Sequence, residues 1–223
     1  MIKSIEKVAA SMTKWVIPFC LLTVVPLLSC EDDDDDDLYE AEYDNWQQRN
    51  DEELADWAAD TSLRKIKNHV LHEDAPTVNS DYIYVEVLET GDPDSPSPFL
   101  TDTVRIAYRG RILPTTTYPE GRVFDQSYLN DFSWKTAYPT QFPSRSSQDS
   151  PLIYGLQTAL LYMHVGDRWL IHIPYQLGYG TAEKSTIPAC SNLVFDVALF
   201  DFWHPGETRP VFKARKKKKK RAS

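Results

Sequence analysis

From Asp81 onward the apolar positions recur with a period of two. Ile83, Val85 and Val87 alternate with Tyr82, Tyr84 and Glu86, and Val104, Ile106 and Tyr108 alternate with Arg105, Ala107 and Arg109. The same alternation sets Trp169, Ile171 and Ile173 against Arg168, Leu170 and His172, and Leu193, Phe195, Val197 and Leu199 against Val194, Asp196, Ala198 and Phe200. Successive side chains of a strand point to opposite faces, so each run predicts a strand with one core-facing side, and Tyr108 is expected to point inward. Arg122 to Asp125 reads as a shorter strand. Gly155 to Met163 can form two helical turns, with Gly166 placed for a left-handed cap. The run Gly91 to Pro98 is a loop. Gln126 to Pro151 has no period and carries Phe132, Trp134, Tyr138 and Phe142, which predicts a functional loop. Strands outnumber helices and no βαβ rhythm appears, so the class is α+β with an antiparallel sheet.

Ahead of the strands, residues 44–76 read as a helical extension. Leu54, Trp57, Ala58 and Thr61 share a face, and Asn50 with Glu53 has capping-box spacing. A second helix is predicted from Ser62, on Leu63, Ile66 and Val70, ending at Ala75-Pro76. Such an extension can pack on the main domain, stand as a stalk or join a partner helix.

Composition bounds the chain to one core, since its 223 residues are 42% hydrophobic and 26% charged. The formal net charge of -9 conceals opposed blocks, six aspartates from Asp32 to Asp37 and the cationic run Arg215 to Arg221. These divide the flanks into an acidic tether over residues 30–43 and a basic tail over 204–223 that are expected to stay solvated. Met1 to Ser29 has the layout of an export signal: Lys3, Lys7 and Lys14 precede an apolar run, Trp15 to Leu28, that is short for a bilayer span. It ends in Leu27-Leu28-Ser29-Cys30, which resembles the bacterial lipobox and implies a lipid on Cys30 and membrane attachment through it. The acidic residues behind Cys30 resemble the signal that sends Bacteroidetes lipoproteins to the outer leaflet of the outer membrane. With Cys20 lost in the signal and Cys30 lipidated, Cys190 is the one remaining thiol and no intrachain disulfide can form.

The sequence excludes much chemistry. It has no G-x-S-x-G, no Walker loop, no H-E-x-x-H and no paired C-x-x-C. Gly178-Tyr179-Gly180 begins like a dinucleotide fingerprint, but Glu183 stands where its third glycine belongs. Counted from Asp32, an EF-hand loop would need Gly at Asp37 and Glu at Tyr43. The five histidines are not at metal-site spacings, so neither metal nor cofactor is expected. For an exported chain the basic tail suits solvent, anionic lipid or lipopolysaccharide better than nucleic acid. What remains is an apolar, aromatic-rich set with single polar groups, the composition of a pocket for an apolar ligand group.

The ordered elements Val104-x-Ile106-x-Tyr108-x-Gly110, Gly121-x-Val123-Phe124-Asp125-x-Ser127, Ile153-x-Gly155-Leu156, Val165-Gly166-Asp167-Arg168, Leu177-Gly178-Tyr179-Gly180, Ile187-Pro188 and Leu193-x-Phe195-Asp196-Val197 closely resemble FKBP-type peptidyl-prolyl cis/trans isomerases. The resemblance covers residues 80–203. It implies a strongly twisted antiparallel sheet wrapped around one short helix, and a proline site between them that acts on proline-containing polypeptides. Carried over by position, its pocket aromatics are Tyr108, Phe124, Tyr179 and Phe195, its aspartate Asp125, its aliphatics Leu152, Ile153 and Ile187, and its floor Leu156, with Phe142 matching the remaining aromatic. The floor is most often tryptophan in that family, so Leu156 implies a roomier base. A non-catalytic binding module on the same scaffold is the alternative that this departure leaves open.

Overall fold

The computed structural model describes residues 41–143, 152–184 and 186–212. Its elements in chain order are α1 (Trp46–Ala59), β1 (Arg64–Lys67), β2 (Tyr82–Glu89), β3 (Thr103–Ile112), β4 (Val123–Gln126), β5 (Thr140–Pro143), α2 (Tyr154–Leu160), β6 (Arg168–Ile173) and β7 (Leu193–Trp203), with 3-10 turns at Asn79–Asp81 and Tyr175–Leu177. The seven strands form one antiparallel sheet in the order β1-β2-β6-β7-β3-β4, and β5 pairs with β3 beside β4. The expected α+β class, an antiparallel sheet with a short helix and a helical N-terminal extension, is therefore what the chain adopts. The expected signal peptide, Cys30, the acidic tether up to residue 40 and the cationic run of the tail lie outside the described residues, among which no helix is long and apolar enough to cross a membrane. The described ends of both flanks do not stay solvated as expected, since Glu42 accepts from Thr117 and the Pro210 carbonyl accepts from Arg105.

Alternation in the sequence is used as expected on the helix side of the sheet. Ile83, Val85, Val104, Ile106, Trp169, Ile171, Ile173, Leu193, Phe195, Val197 and Leu199 all belong to one buried cluster. Helix α2 lies against β1, β2 and β6 with Gly155 to Leu160 all buried. Gly155 makes this approach possible, because a Cβ there would sit 2.3 Å from Ile173 Cγ2. The turn after α2 closes with Gly166 at φ 95, the left-handed conformation foreseen from its position.

Three expectations are corrected. Asn50 and Glu53 are no capping box: α1 begins at Trp46, after Asn45 in the left-handed region, and Asn50 lies inside the helix, fully buried. Its Nδ2 donates to the Trp46 carbonyl at 2.7 Å, while Glu53 accepts from Trp57 Nε1 at 2.8 Å. The second helix is instead strand β1, whose residues pair with Tyr82–Val85 of β2. Ile66 is buried at either periodicity, but Val70 is 54% exposed, and the open edge of β2 supplies backbone partners that a short helix would not use. The third concerns β3, read as half-buried. Arg105 and Ala107, on its second face, are 2% and 0% exposed. Arg105 is covered by the C-terminal segment, donating to the Pro210 carbonyl at 3.0 Å and lying 5.6 Å from the Phe212 ring, while part of the long loop folds back over Ala107. Tyr128, Phe132 and Ala137 from this loop pack on Ala107 and Phe200. Arg168 and Arg109 hold it there. The Arg168 guanidinium stands 4.4 Å from the Phe132 ring centroid, and Arg109 donates to the Leu129 and Asn130 carbonyls at 2.8 Å each. Within the loop Thr140–Pro143 form β5, which the aperiodic composition had not revealed.

Candidate active site

The candidate pocket residues come from six places in the chain and the fold brings them together. Tyr108 stands on β3, Phe124 and Asp125 on β4, Phe142 on β5 and Phe195 on β7. Leu152, Ile153 and Leu156 sit at the start of α2, and Tyr179 and Ile187 on the loop leading to β7. All join one apolar cluster except Asp125 at its polar margin: Leu152, Ile153, Leu156, Ile187 and Phe195 are buried, and Tyr108, Phe124, Phe142 and Tyr179 pack against them partly exposed. Buried walls with half-exposed aromatic rims make a site open to solvent on one side.

Ring geometry follows from the strand register. Gly110 of β3 pairs with Asp125 of β4 on one side and with Phe195 of β7 on the other. A Cβ at Gly110 would lie 2.6 Å from Phe124 Cζ and 2.7 Å from Phe195 Cε1, so the missing side chain is the space in which the two rings meet. They do so edge to face at 5.4 Å between centroids. Tyr108 is 5.8 Å from Phe142, also edge to face, and 6.4 Å from Phe195. These separations fall within the favourable range for aromatic pairs. Phe142 thus arrives beside Tyr108 by way of β5, which pairs Val104 with Phe142.

One polar contact organises the rim. The Tyr108 hydroxyl donates to Asp125 Oδ2 at 2.8 Å. Burial, and then the Asp125 carboxylate that accepts this hydrogen bond, push the Tyr108 phenol far above its ordinary range. Burial chiefly, with Asp125 again adding to it, also raises Tyr179. Both phenols therefore remain protonated donors at neutral pH. Ile153 is the N-cap of α2, and its amide lies ahead of the helix's own hydrogen bonds. Leu156 sits one turn in, 5% exposed, beneath this end of the helix.

The chemistry of the site is that of apolar enclosure. Cys190 is buried, adopts a left-handed backbone conformation with φ 58, and has its thiol pKa raised chiefly by burial, which suits packing and not nucleophilic attack. Among the described residues no three His, Cys, Asp or Glu side chains are grouped so as to hold a metal ion. Sequence reasoning missed the role of Gly110 as the gap between two rings, although the glycine itself was visible at a fixed offset from Tyr108. It also missed how the loop before β7 is secured: Asn192 reaches back to Asn50 over 142 residues of chain, a pairing with no local signal.

Residues 95–200 match the family model described as FKBP-type peptidyl-prolyl cis-trans isomerase. Among curated proteins, the chain is 34% identical over 105 residues to the FKBP-type 22 kDa peptidyl-prolyl cis-trans isomerase of Escherichia coli, covering 47% of this chain and 43% of that protein. It is 38% identical over 115 residues to the peptidyl-prolyl cis-trans isomerase Mip of Coxiella burnetii, covering 51% and 42% respectively. The chain thus spans less than half the length of these relatives. In fold it is similar to a peptidyl-prolyl cis-trans isomerase from Pseudomonas syringae, with a TM-score of 0.51 and 23% identity, covering 72% of this chain and 95% of that one. The crystal structure of FkpA from Escherichia coli gives the same TM-score and identity over 75% of this chain and 63% of its own.

Proposed function

We propose that this chain, whose residues 95–200 match the FKBP-type peptidyl-prolyl cis-trans isomerase family model, accelerates rotation about X-Pro bonds in polypeptides, at the pocket between α2 and the sheet. The observation that supports this reading best is the meeting of Phe124 and Phe195 over Gly110, with Tyr108 beside Phe195 and Phe142 and hydrogen-bonded to Asp125 at the rim.

The physics of the reaction suits such a site. Rotation about the amide meets a barrier of about 18 to 20 kcal/mol because the planar bond is resonance-stabilised. Cis and trans X-Pro differ by only about 0.5 to 1 kcal/mol, so lowering the barrier is the whole task. In the twisted state the nitrogen is out of conjugation and the carbonyl dipole is smaller. An apolar enclosure therefore favours it over the more polar planar amide, with no acid, base or nucleophile involved. In this reading Tyr108, Phe124, Leu156 and Phe195 enclose the pyrrolidine ring, with Leu152, Ile187 and Phe142 completing the walls. Asp125 sits near the rotating carbonyl and fixes Tyr108. Tyr179 donates to substrate backbone, and the Ile153 amide offers a second donor. No cofactor is needed.

The export-signal layout and the lipobox-like Leu27-Leu28-Ser29-Cys30 ahead of the domain support an activity in a bacterial cell envelope, with a lipid anchor on Cys30 and exported polypeptides as substrates. Mass spectrometry of the mature N-terminus tests the anchor: a mass without acyl chains on Cys30 removes it. The activity is tested by proline-limited refolding of a model protein. The full chain should accelerate it, and a Tyr179→Phe, Phe195→Ala double variant should not. Equal rates with both would leave a peptide-binding module, the reading to which the leucine floor lends itself.

A further inference from the structure

The segment that precedes the family-matched region is attached to the pocket's supporting loops on three sides. Helix α1 meets the loop before β7 through a buried polar clasp. Asn50 Oδ1 accepts from the Asn192 amide at 2.7 Å, the Asn50 carbonyl accepts from Asn192 Nδ2 at 2.6 Å, and Trp46 Nε1 donates to Ser191 Oγ at 2.8 Å. The clasp continues toward the pocket. Ser191 Oγ donates to the Pro188 carbonyl at 2.6 Å, next to Ile187, and Asn192 Oδ1 accepts from the Tyr175 amide at 3.0 Å. The Tyr175 carbonyl in turn accepts from the Gly180 amide at 2.7 Å, so the turn bearing Tyr179 hangs from the same network.

On the second side, the Glu42 carboxylate accepts from the Thr117 amide at 3.0 Å and its hydroxyl at 2.6 Å, and Arg49 donates to the Pro114 carbonyl at 3.1 Å. These residues belong to the loop from β3 to β4, which delivers Phe124 and Asp125. Arg122, at its end, lies 5.6 Å from the Tyr43 ring and donates to the Thr186 carbonyl beside Ile187. On the third side, Thr158 of α2 donates to Asn68 Oδ1 at 3.3 Å and lies 3.0 Å from His69 Nδ1. Helix α2 carries Ile153 and Leu156 at its other end.

Asn50 and Asn192 are both 0% exposed. Apolar contact alone would attach α1 but would let it slide along the surface, whereas reciprocal hydrogen bonds between buried amides admit one register, because any displacement leaves polar groups buried without partners. We propose that residues 42–69 act as a brace that fixes the loops bearing Tyr179, Ile187, Phe124 and Asp125 in their working geometry, with Asn50 and Trp46 as positioning residues. The proposal rests on the isomerase reading above only for its catalytic consequence.

Two variants of the full chain test it: Asn50→Ala, and the milder Trp46→Phe, which keeps an aromatic ring in the core while removing the N–H and the rest of the indole. Amide hydrogen exchange, refolding catalysis and urea unfolding are measured on each. The brace predicts faster exchange confined to residues 175–192, with protection of β6 and β7 unchanged. It also predicts a fall in kcat/KM of about tenfold for Asn50→Ala and a few-fold for Trp46→Phe, larger than any change in the fraction folded. Exchange that rises evenly over the sheet, or kcat/KM unchanged while the loop exchanges faster, overturns it. A wild-type chain without isomerase activity would remove the proposed function instead, and the exchange pattern would still decide whether the brace exists.

Discussion

Across the β3–β4 pair, the Tyr108 hydroxyl donates a 2.8 Å hydrogen bond to Asp125 Oδ2, joining an aromatic wall that carries a polar handle to the carboxylate at the candidate pocket margin. A hydrogen bond to a charged acceptor contributes about 1.5 to 3 kcal/mol when well formed, and less where solvent competes, as it does here. Tyr108→Phe should therefore lower kcat/KM in a proline-isomerisation assay by roughly threefold to tenfold with a small change in unfolding midpoint. Asp125→Asn, which leaves an acceptor in place, should cost less than Asp125→Ala. An Asp125→Ala variant with unaltered kcat/KM would contradict the place given to this pair.

Gly110 supplies a sharper test of how the rings are seated. A methyl group at this position meets Phe124 and Phe195 at 2.6 and 2.7 Å, and both rings are held, one of them at 3% exposure. Gly110→Ala should destabilise the domain by about 1 to 3 kcal/mol, the usual cost of overpacking, and lower activity beyond that loss because the displaced rings line the pocket. Urea unfolding gives the first number and refolding catalysis the second. Full stability in this variant would mean that the rings can part without consequence.

Leu156 stands where the resemblance implies a tryptophan floor. If the leucine leaves the base of the pocket roomier, Leu156→Trp should be accommodated with less than the roughly 1 to 3 kcal/mol that overpacking costs in a filled core. It should also tighten binding of a proline-containing peptide, measured by calorimetry, more than it changes turnover. A large loss of stability with no gain in affinity would show that the space under the pocket is already taken.

Much of the fold was legible because it is written in local periodicity. The strands from Tyr82 to Glu89, Thr103 to Ile112, Arg168 to Ile173 and Leu193 to Trp203 each show their period of two, and the candidate pocket residues followed from motif order. What stayed hidden depends on tertiary partners. Leu63 and Ile66 fit a helix as well as a strand, and only the open edge of β2 decides between them. Asn50 has capping-box spacing with Glu53, yet its partner is Asn192, which no local pattern connects to it. Strand β5 exists because the loop before it is pinned to the outer face by Arg109 and Arg168, so that Phe142 is delivered to Tyr108 by contacts its own sequence does not encode.

His172 makes the stability of the chain depend on pH. It lies on β6 under Trp57, at 4.9 Å between ring centroids, and burial lowers its pKa from the ordinary 6.5 to about 4, a shift that Asp60 only partly opposes. The folded chain therefore holds this imidazole neutral where the unfolded chain protonates it. Its contribution is complete above the unfolded value and is lost as pH falls from about 6.5 toward about 4. At about 1.4 kcal/mol per pH unit, the span from 6.5 to about 4 puts the full effect at about 3.5 kcal/mol, and somewhat less than this is lost by pH 4.5. Burial lowers His69 in the same direction, while the hydrogen bond that His204 donates to the Asp102 carboxylate raises His204 in the opposite one, so the whole-protein slope mixes several groups. A difference measurement isolates the one of interest. In urea unfolding between pH 7.5 and 4.5, His172→Phe should lose less stability than the wild type over this span, by up to about 3 kcal/mol. Parallel pH profiles for the two proteins would show that the imidazole is reached by water and titrates as an ordinary surface histidine.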